Sequence, residues 1–183
     1  MAVFSKLKFR MCTIEDANKL VEHINRGGDD AWRDGDAIYG FGSEEPFDEG
    51  DWRKGFNENQ SRSLRTPGWT RNLVVTDGDD IVGGVNLRTE DLRSSQHRAS
   101  LGIALEKTYR GQGLGRRLME MIIEWARSQT ELEWIDLGVF ATNPKAQLLY
   151  KSLGFVEWGR CTDRFRVDGS EITDISMSLK LHP

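Results

Sequence analysis

The run Tyr109-Arg110-Gly111-Gln112-Gly113-Leu114-Gly115-Arg116-Arg117 joins a predicted strand directly to a predicted helix through three alternating glycines. Glycine costs backbone entropy, and a tight turn needs only one of the three. Together they strip every Cβ from the approach to the helix and leave several backbone N–H groups open. Those donors, with the positive end of the helix dipole, suit a phosphate. Arg110, Arg116 and Arg117 add positive charge beside them. Two familiar phosphate patterns fail. A dinucleotide fingerprint needs a third glycine at position 116, where Arg116 stands, and a P-loop needs Gly-Lys-Ser/Thr.

The strand before this run spans His97 to Leu105. The helix after it, Gly113 to Ser128, lines up Leu114, Leu118, Met121, Ile122, Trp125 and Ala126 on one face. Glu133 to Phe140 reads as a strand. Asn143-Pro144 then opens a second helix, with asparagine as N-cap and proline at the first helical position. Ala146, Leu149, Tyr150 and Leu153 follow at helical spacing, and Gly154 ends the helix.

Leu7–Met11 alternates as a half-buried strand. Thr13 and Asp16 form a helix-start signature, and Gly27-Gly28 is expected to end that helix. Positions 29–71 mix Gly, Asp, Glu and Arg with isolated aromatics (Trp32, Tyr39, Phe41, Phe47, Trp52, Phe56, Trp69). They read as an ordered, irregular excursion that shapes a pocket, with a short helix within Asp51–Leu64. Asn72–Thr76 and Ile81–Leu87 form a hairpin around Asp77–Asp80. A strand from Phe155 and a closing hairpin turned at Asp168-Gly169 end the chain. The order implies one mixed α/β domain over residues 1–183.

Arg110, Gly113 and Gly115 meet the pattern Arg/Gln-x-x-Gly-x-Gly/Ala. Downstream, Asn143–Phe155 matches Asn-x-x-Ala-x-x-x-Tyr-x-x-x-Gly-Phe. On these two segments the sequence resembles the GNAT superfamily of acetyl-CoA-dependent N-acetyltransferases. In general pattern it is most similar to the bacterial branch with ribosomal-protein and spermidine N-acetyltransferases. The resemblance implies a mixed, mostly antiparallel sheet of about six to seven strands flanked by helices. It implies acetyl-CoA as co-substrate, a primary amine as acceptor, and no metal.

By the same resemblance, Arg110, Gly111, Gln112, Gly113, Leu114, Gly115 and Arg116 surround the CoA pyrophosphate, and Asn143 contacts the cofactor. Ile103, Ala104 and Leu105 pair their main chain with the pantetheine arm. Tyr150 lies near the sulfur, where a hydroxyl with an ordinary pKa near 10 suits the departing thiolate. The glutamate that some members carry on the His97–Leu105 strand corresponds here to Ala99. His97, two residues earlier on the same side, is the candidate base; Glu90, Asp91, the Glu44-Glu45 pair and a water relay stay open. A non-catalytic acyl-CoA-binding module and a nucleotide-binding domain are the competing readings.

Composition narrows the rest. The 183 residues, 38% apolar and 30% charged, carry a formal net charge of −4 and no basic tract, which argues against a nucleic-acid partner. Cys12 and Cys161 lack CxxC spacing, and the three histidines lack metal-ligand spacing. Neither a signal peptide nor a membrane span is apparent, so a cytoplasmic protein is expected. Dimers are common in the family, which leaves a homodimer open.

Overall fold

The expected hairpin extends by a residue or two at each end, to β2 (Thr70–Asp77) and β3 (Asp80–Arg88), turning at Gly78 with φ of 61°. The computed structural model describes residues 6–34, 49–167 and 169–182, with backbone alone at 27–34 and 167. The other elements are β1 (Leu7–Met11), α1 (Ala17–Asp34), α2 (Glu49–Ser61), β4 (Arg98–Leu105), α3 (Leu114–Arg127), β5 (Trp134–Phe140), α4 (Pro144–Ser152), β6 (Val156–Val167) and β7 (Ser170–Lys180). Gly169, with φ of 76°, turns the last hairpin; its neighbour Asp168 lies outside the described residues.

The seven strands form one sheet in the order β1-β2-β3-β4-β5-β7-β6. Every pairing is antiparallel except β4 with β5. The mostly antiparallel mixed sheet is therefore as expected. Side chains alternate between its faces, and each face has its own cover. On one, α3 and α4 bury Leu118, Met119, Ile122, Ala126 and Tyr150 against Leu73, Val85, Ala99, Ile135 and Met177. Each fully buried aliphatic there contributes roughly 1.5–3 kcal/mol. On the other, α1 and α2 pack Ala17, Leu20 and Phe56 against Val74 and Ile81. No described helix covers β4, β5 and β7 on that second face.

Two expectations change. α1 runs through Gly27-Gly28 to Asp34 instead of ending there. Glycine in a helix interior costs about 1 kcal/mol without forbidding helical angles. Contacts just upstream anchor the helix: Arg26 Nε to Glu106 Oε1 at 2.8 Å and Asn25 Nδ2 to Glu49 Oε1 at 2.9 Å. The excursion at 29–71 is also more helical than expected: α1 reaches into it, the short helix expected within Asp51–Leu64 is α2 at Glu49–Ser61, which stacks Trp52 on Phe56 at 5.2 Å, and of the described residues only 62–69 run irregularly into β2. Arg71 ties the end of α2 to β2, donating to the carbonyls of Gln60 (2.9 Å) and Arg62 (2.6 Å). Trp69 is core, edge-on to Trp125, whereas Tyr39, Phe41 and Phe47 lie outside the described residues.

Candidate active site

The parallel seam between β4 and β5 is short. Arg98, Ala99 and Ser100 pair with Trp134, Ile135 and Asp136, and beyond that rung the strands part. β4 stays zipped to β3 as far as Leu105, and β5 to β7 as far as Phe140. Each arm of the split is thus held from outside while its inner edge faces a gap. Unpaired strand edges are costly when buried and readily accept another extended chain. Ile103, Ala104 and Leu105 lie along the β4 arm. The Leu105 carbonyl already accepts from Arg110 Nε at 2.9 Å, which folds the Arg110 side chain back onto the end of β4.

Where β4 ends, a short turn leads into the glycine run. Tyr109 and Arg110 donate their N–H groups back to Glu106 and Lys107, and the next backbone bond comes from Arg117 to Gly113. From Gly111 to Arg116, therefore, no N–H has a backbone acceptor among the described residues. Gly111 (φ 74°) and Gly113 (φ 86°) both adopt the left-handed conformation that only glycine reaches cheaply. Such alternation turns successive N–H groups into one concavity, an anion nest at the start of α3. At Gly115 a Cβ would sit 3.6 Å from Leu105 Cδ1 and 3.7 Å from Leu149 Cδ2, so packing there would accept a methyl group. The Gln112 side chain braces the loop through Thr108 O at 2.7 Å, and Leu114 is fully buried beneath it.

α4 stands beside this nest, joined to α3 by Arg116 Nη2 donating to Ser152 Oγ at 2.6 Å. Asn143 is the N-cap as expected, its Oδ1 accepting from Ala146 N at 3.1 Å. Tyr150 is 7% exposed and tilted against Phe155, and burial pushes its hydroxyl up to about 12. On the far side, α1 grips Glu106 through Arg26 and through buried His23, whose Nδ1 lies 3.3 Å from Glu106 Oε1. Burial outweighs that carboxylate and lowers the His23 pKa.

The family model for the Acetyltransferase (GNAT) family matches residues 30–155, well over half of the chain. The chain belongs to the GNAT acetyltransferase family. Among curated relatives, an L-amino acid N-acetyltransferase of Escherichia coli is 29% identical over 96 residues, covering 52% of this chain and 59% of that protein. A spermidine N(1)-acetyltransferase of Vibrio cholerae is 30% identical over 100 residues, covering 54% and 57%. Less than two thirds of either relative is matched. Among solved structures, a GNAT-family acetyltransferase from Streptococcus pneumoniae superposes with a TM-score of 0.82 at 25% identity, covering 95% of this chain and 99% of that one. The structure of yncA from Salmonella typhimurium, solved with its cofactor acetyl-CoA, superposes at 0.78 with 17% identity, covering 97% and 95%.

In this GNAT chain the expected site residues divide. The glycine run, Ile103–Leu105 and α4 converge on one end of the split, while His97 does not. It precedes β4 at the closed end, where its carbonyl accepts from Glu133 N at 2.8 Å and Trp134 N at 3.1 Å. Five residues of extended chain, roughly 16 Å, separate it from Gly102 in the split. There it lines a cavity of about 440 Å³ with Arg65, Arg93, Gln96 and Glu131. The alternation that buries Ala99 and Leu101 under α3 also points His97 to that face. Glu90 and Asp91 are exposed in the loop leading to that end of β4, and Glu44 and Glu45 lie outside the described residues.

Sequence reasoning missed a polar group at the last paired rung, on the face away from α3. Arg98 Nε and Nη2 hold Asp136 Oδ2 and Oδ1 at 2.7 and 2.5 Å, and Ser178 Oγ also donates to Asp136 Oδ1. The Arg98 guanidinium lies over the Trp134 ring, 4.8 Å from its centroid. In sequence these residues show only as polar positions in alternating strands.

Proposed function

We propose that this GNAT chain transfers the acetyl group of acetyl-CoA to a primary amine of a small molecule or a protein N-terminus. The observation that carries the reading is the run of N–H groups from Gly111 to Arg116, without backbone acceptors, at the end of a split sheet. Their concavity suits the pyrophosphate, and the inner edge at Ile103–Leu105 suits the amides of the pantetheine arm. Asn143 stands at the start of the neighbouring helix, its amide oxygen used in capping and its amide nitrogen without a hydrogen bond among the described residues.

Acetyl-CoA supplies an activated acyl carbon; the protein's part is to place the amine and manage protons. As the N–C bond forms and the C–S bond breaks, the nitrogen must shed a proton and the sulfur must gain one. A free ammonium has a pKa of about 10, so the amine must be neutral before it attacks. Tyr150, pushed up to about 12, stays protonated at neutral pH. Giving that proton outright to a thiolate, the weaker base, would be uphill. Tyr150 therefore acts as a hydrogen-bond donor to the departing sulfur, and the sulfur takes its proton from the amine or from water.

The acceptor class draws support from the relatives, one named for L-amino acids and another for spermidine. A formal charge of −4 suits a cationic approach. The free thiols Cys12 and Cys161 fit a cytoplasmic protein, and no described helix is long and apolar enough to cross a membrane. Val156 and Trp158, exposed on edge strand β6, fit a homodimer.

Calorimetry with acetyl-CoA, followed by a thiol-release assay on a panel of amines, tests the reading. Saturable binding and amine-dependent thiol release are expected. Tight binding with no release on any amine would leave a binding module, and competition by ATP or NAD but not CoA would make it a nucleotide domain.

A further inference from the structure

We infer that the acceptor amine is held on the face of the split away from α3, between the Asp136 carboxylate on β5 and the Asn86 amide oxygen on β3. The inference rests on the acetyltransferase reading and specifies where its acceptor sits.

Strand register brings these residues together. One rung crosses the sheet as Asn72, Asn86 and Gly102, meets the gap, and resumes as Gly138 and Ser176. The neighbouring rung carries Arg88, Ser100, Asp136 and Ser178. Alternation puts all of them on the face away from α3. At the mouth of the gap the floor is thus glycine and serine, with two stronger hydrogen-bonding groups rising beside it.

The Asn86 amide reaches toward the gap because residue 102 has no side chain. A Cβ on Gly102 would lie 3.3 Å from Asn86 Oδ1 and 3.4 Å from Nδ2, tighter than side chains normally pack. Asn86 Oδ1 is buried and has no hydrogen-bond partner among the described residues. A buried acceptor left unmade is costly and calls for a reason. Asn72, next to it on the same rung, is by contrast engaged with Gln60 Oε1 at 3.0 Å. A ligand N–H would satisfy Asn86.

Asp136 supplies the second acceptor in a fixed orientation. A carboxylate offers about four lone-pair sites; Arg98 and Ser178 occupy three of them. The Arg98 charge also offsets that of Asp136. A bare carboxylate would hold a bound amine as ammonium, raising its pKa, whereas this neutralised pair accepts an N–H from an amine that has already lost its proton. A neutral primary amine has two N–H groups, one for each acceptor, and keeps its lone pair for the acyl carbon. A secondary amine cannot satisfy both.

The test measures thiol release with n-butylamine, putrescine, spermidine and L-alaninamide, and with N-methylbutylamine as the secondary amine. The variants are Asn86→Ala and Asp136→Asn. For the best acceptor, KM should rise about tenfold in each variant, as for one lost hydrogen bond, with the acetyl-CoA Kd unchanged within about twofold. Wild type should favour n-butylamine over N-methylbutylamine by a similar factor. Amine KM values unchanged in both variants would overturn the inference. So would a parallel loss of acetyl-CoA affinity and thermal stability, which would make Asp136 only a clasp across the strands. If Asp136→Asn does not fold, Asn86→Ala decides, since that side chain has no hydrogen bond to lose among the described residues. A wild type that binds acetyl-CoA but releases no thiol with any primary amine would fail the enzymatic reading itself, a distinguishable result.

Discussion

Gly113→Asp separates ligand recognition from folding in one substitution. Gly113 is the N-cap of α3, with φ of 86°. A non-glycine residue in that conformation costs roughly 1–2 kcal/mol, least for Asp and Asn. The carboxylate cap that would offset this needs extended N-cap backbone, which Gly113 does not have. Set against a typical stability of about 5–15 kcal/mol, that cost leaves the protein folded. Binding should not survive. The new carboxylate would stand beside the Gly115 and Arg116 N–H groups that the pyrophosphate needs, and would repel it. At about 5 Å and an effective dielectric constant of 20, the repulsion is roughly 3 kcal/mol per unit charge, or more than 100-fold in Kd. Titration calorimetry with CoA reads the affinity, and a thermal melt monitored by circular dichroism reads the fold. A folded variant that binds CoA within about threefold of wild type would refute the cradle assignment.

Other expectations are more local. Tyr150→Phe should lower kcat about tenfold or more while leaving the CoA Kd nearly unchanged; equal losses in both would return Tyr150 to a packing role. His97→Gln should leave kcat/KM within about threefold, because His97 lies at the closed end of the β4–β5 seam; a loss above tenfold would restore it as the base. Asp16 accepts from both Arg10 guanidinium nitrogens at 2.6 Å and from Thr13 N at 2.9 Å, and the arginine holds its pKa at about 2. Because the folded pKa lies below the unfolded one, this stabilisation is complete above about pH 4 and is lost as pH falls toward 2. The shift alone corresponds to about 2.5 kcal/mol; Arg10 is 44% exposed, and screening reduces it to about 1–1.5 kcal/mol. Asp16→Asn should lose that amount at pH 7 and show a flatter urea midpoint between pH 4 and 2; an unchanged midpoint at pH 7 would refute the argument.

The features legible in the sequence are those encoded within a few residues. Gly111 and Gly113 permit the left-handed backbone that they adopt at φ of 74° and 86°, so the nest at the start of α3 was legible as a local possibility. The same holds for the Asn143 cap, the Gly154 stop and the hairpin at Gly78, each a local hydrogen-bonding or φ requirement. The alternation of Leu7–Met11 marked its half-buried side, and the helical period marked Leu114, Leu118, Ile122 and Ala126 as core, but Met119 and Ile123 are buried outside the expected face while Met121 and Trp125 are only half-buried. Gly27-Gly28 misled, because glycine weakens a helix without forbidding it, and the anchoring of Arg26 on Glu106 joins residues far apart in the chain. The polar groups proposed to hold the acceptor were invisible for the same reason. Asp136 meets Arg98 only because β4 and β5 run parallel, a pairing made through an intervening helix, and it meets Ser178 only because β7 inserts beside β5. Asn86 faces the gap only because Gly102 lies opposite it on the next strand. His97 is set apart because β4 joins β5 at one end and leaves it at the other. The sequence by itself determined the run of open N–H groups that we propose as the donor cradle, since a phosphate site of this kind is built from consecutive backbone amides. Only the tertiary structure decided the face proposed for the acceptor, since its polar groups come from separate strands whose neighbours are chosen by the sheet.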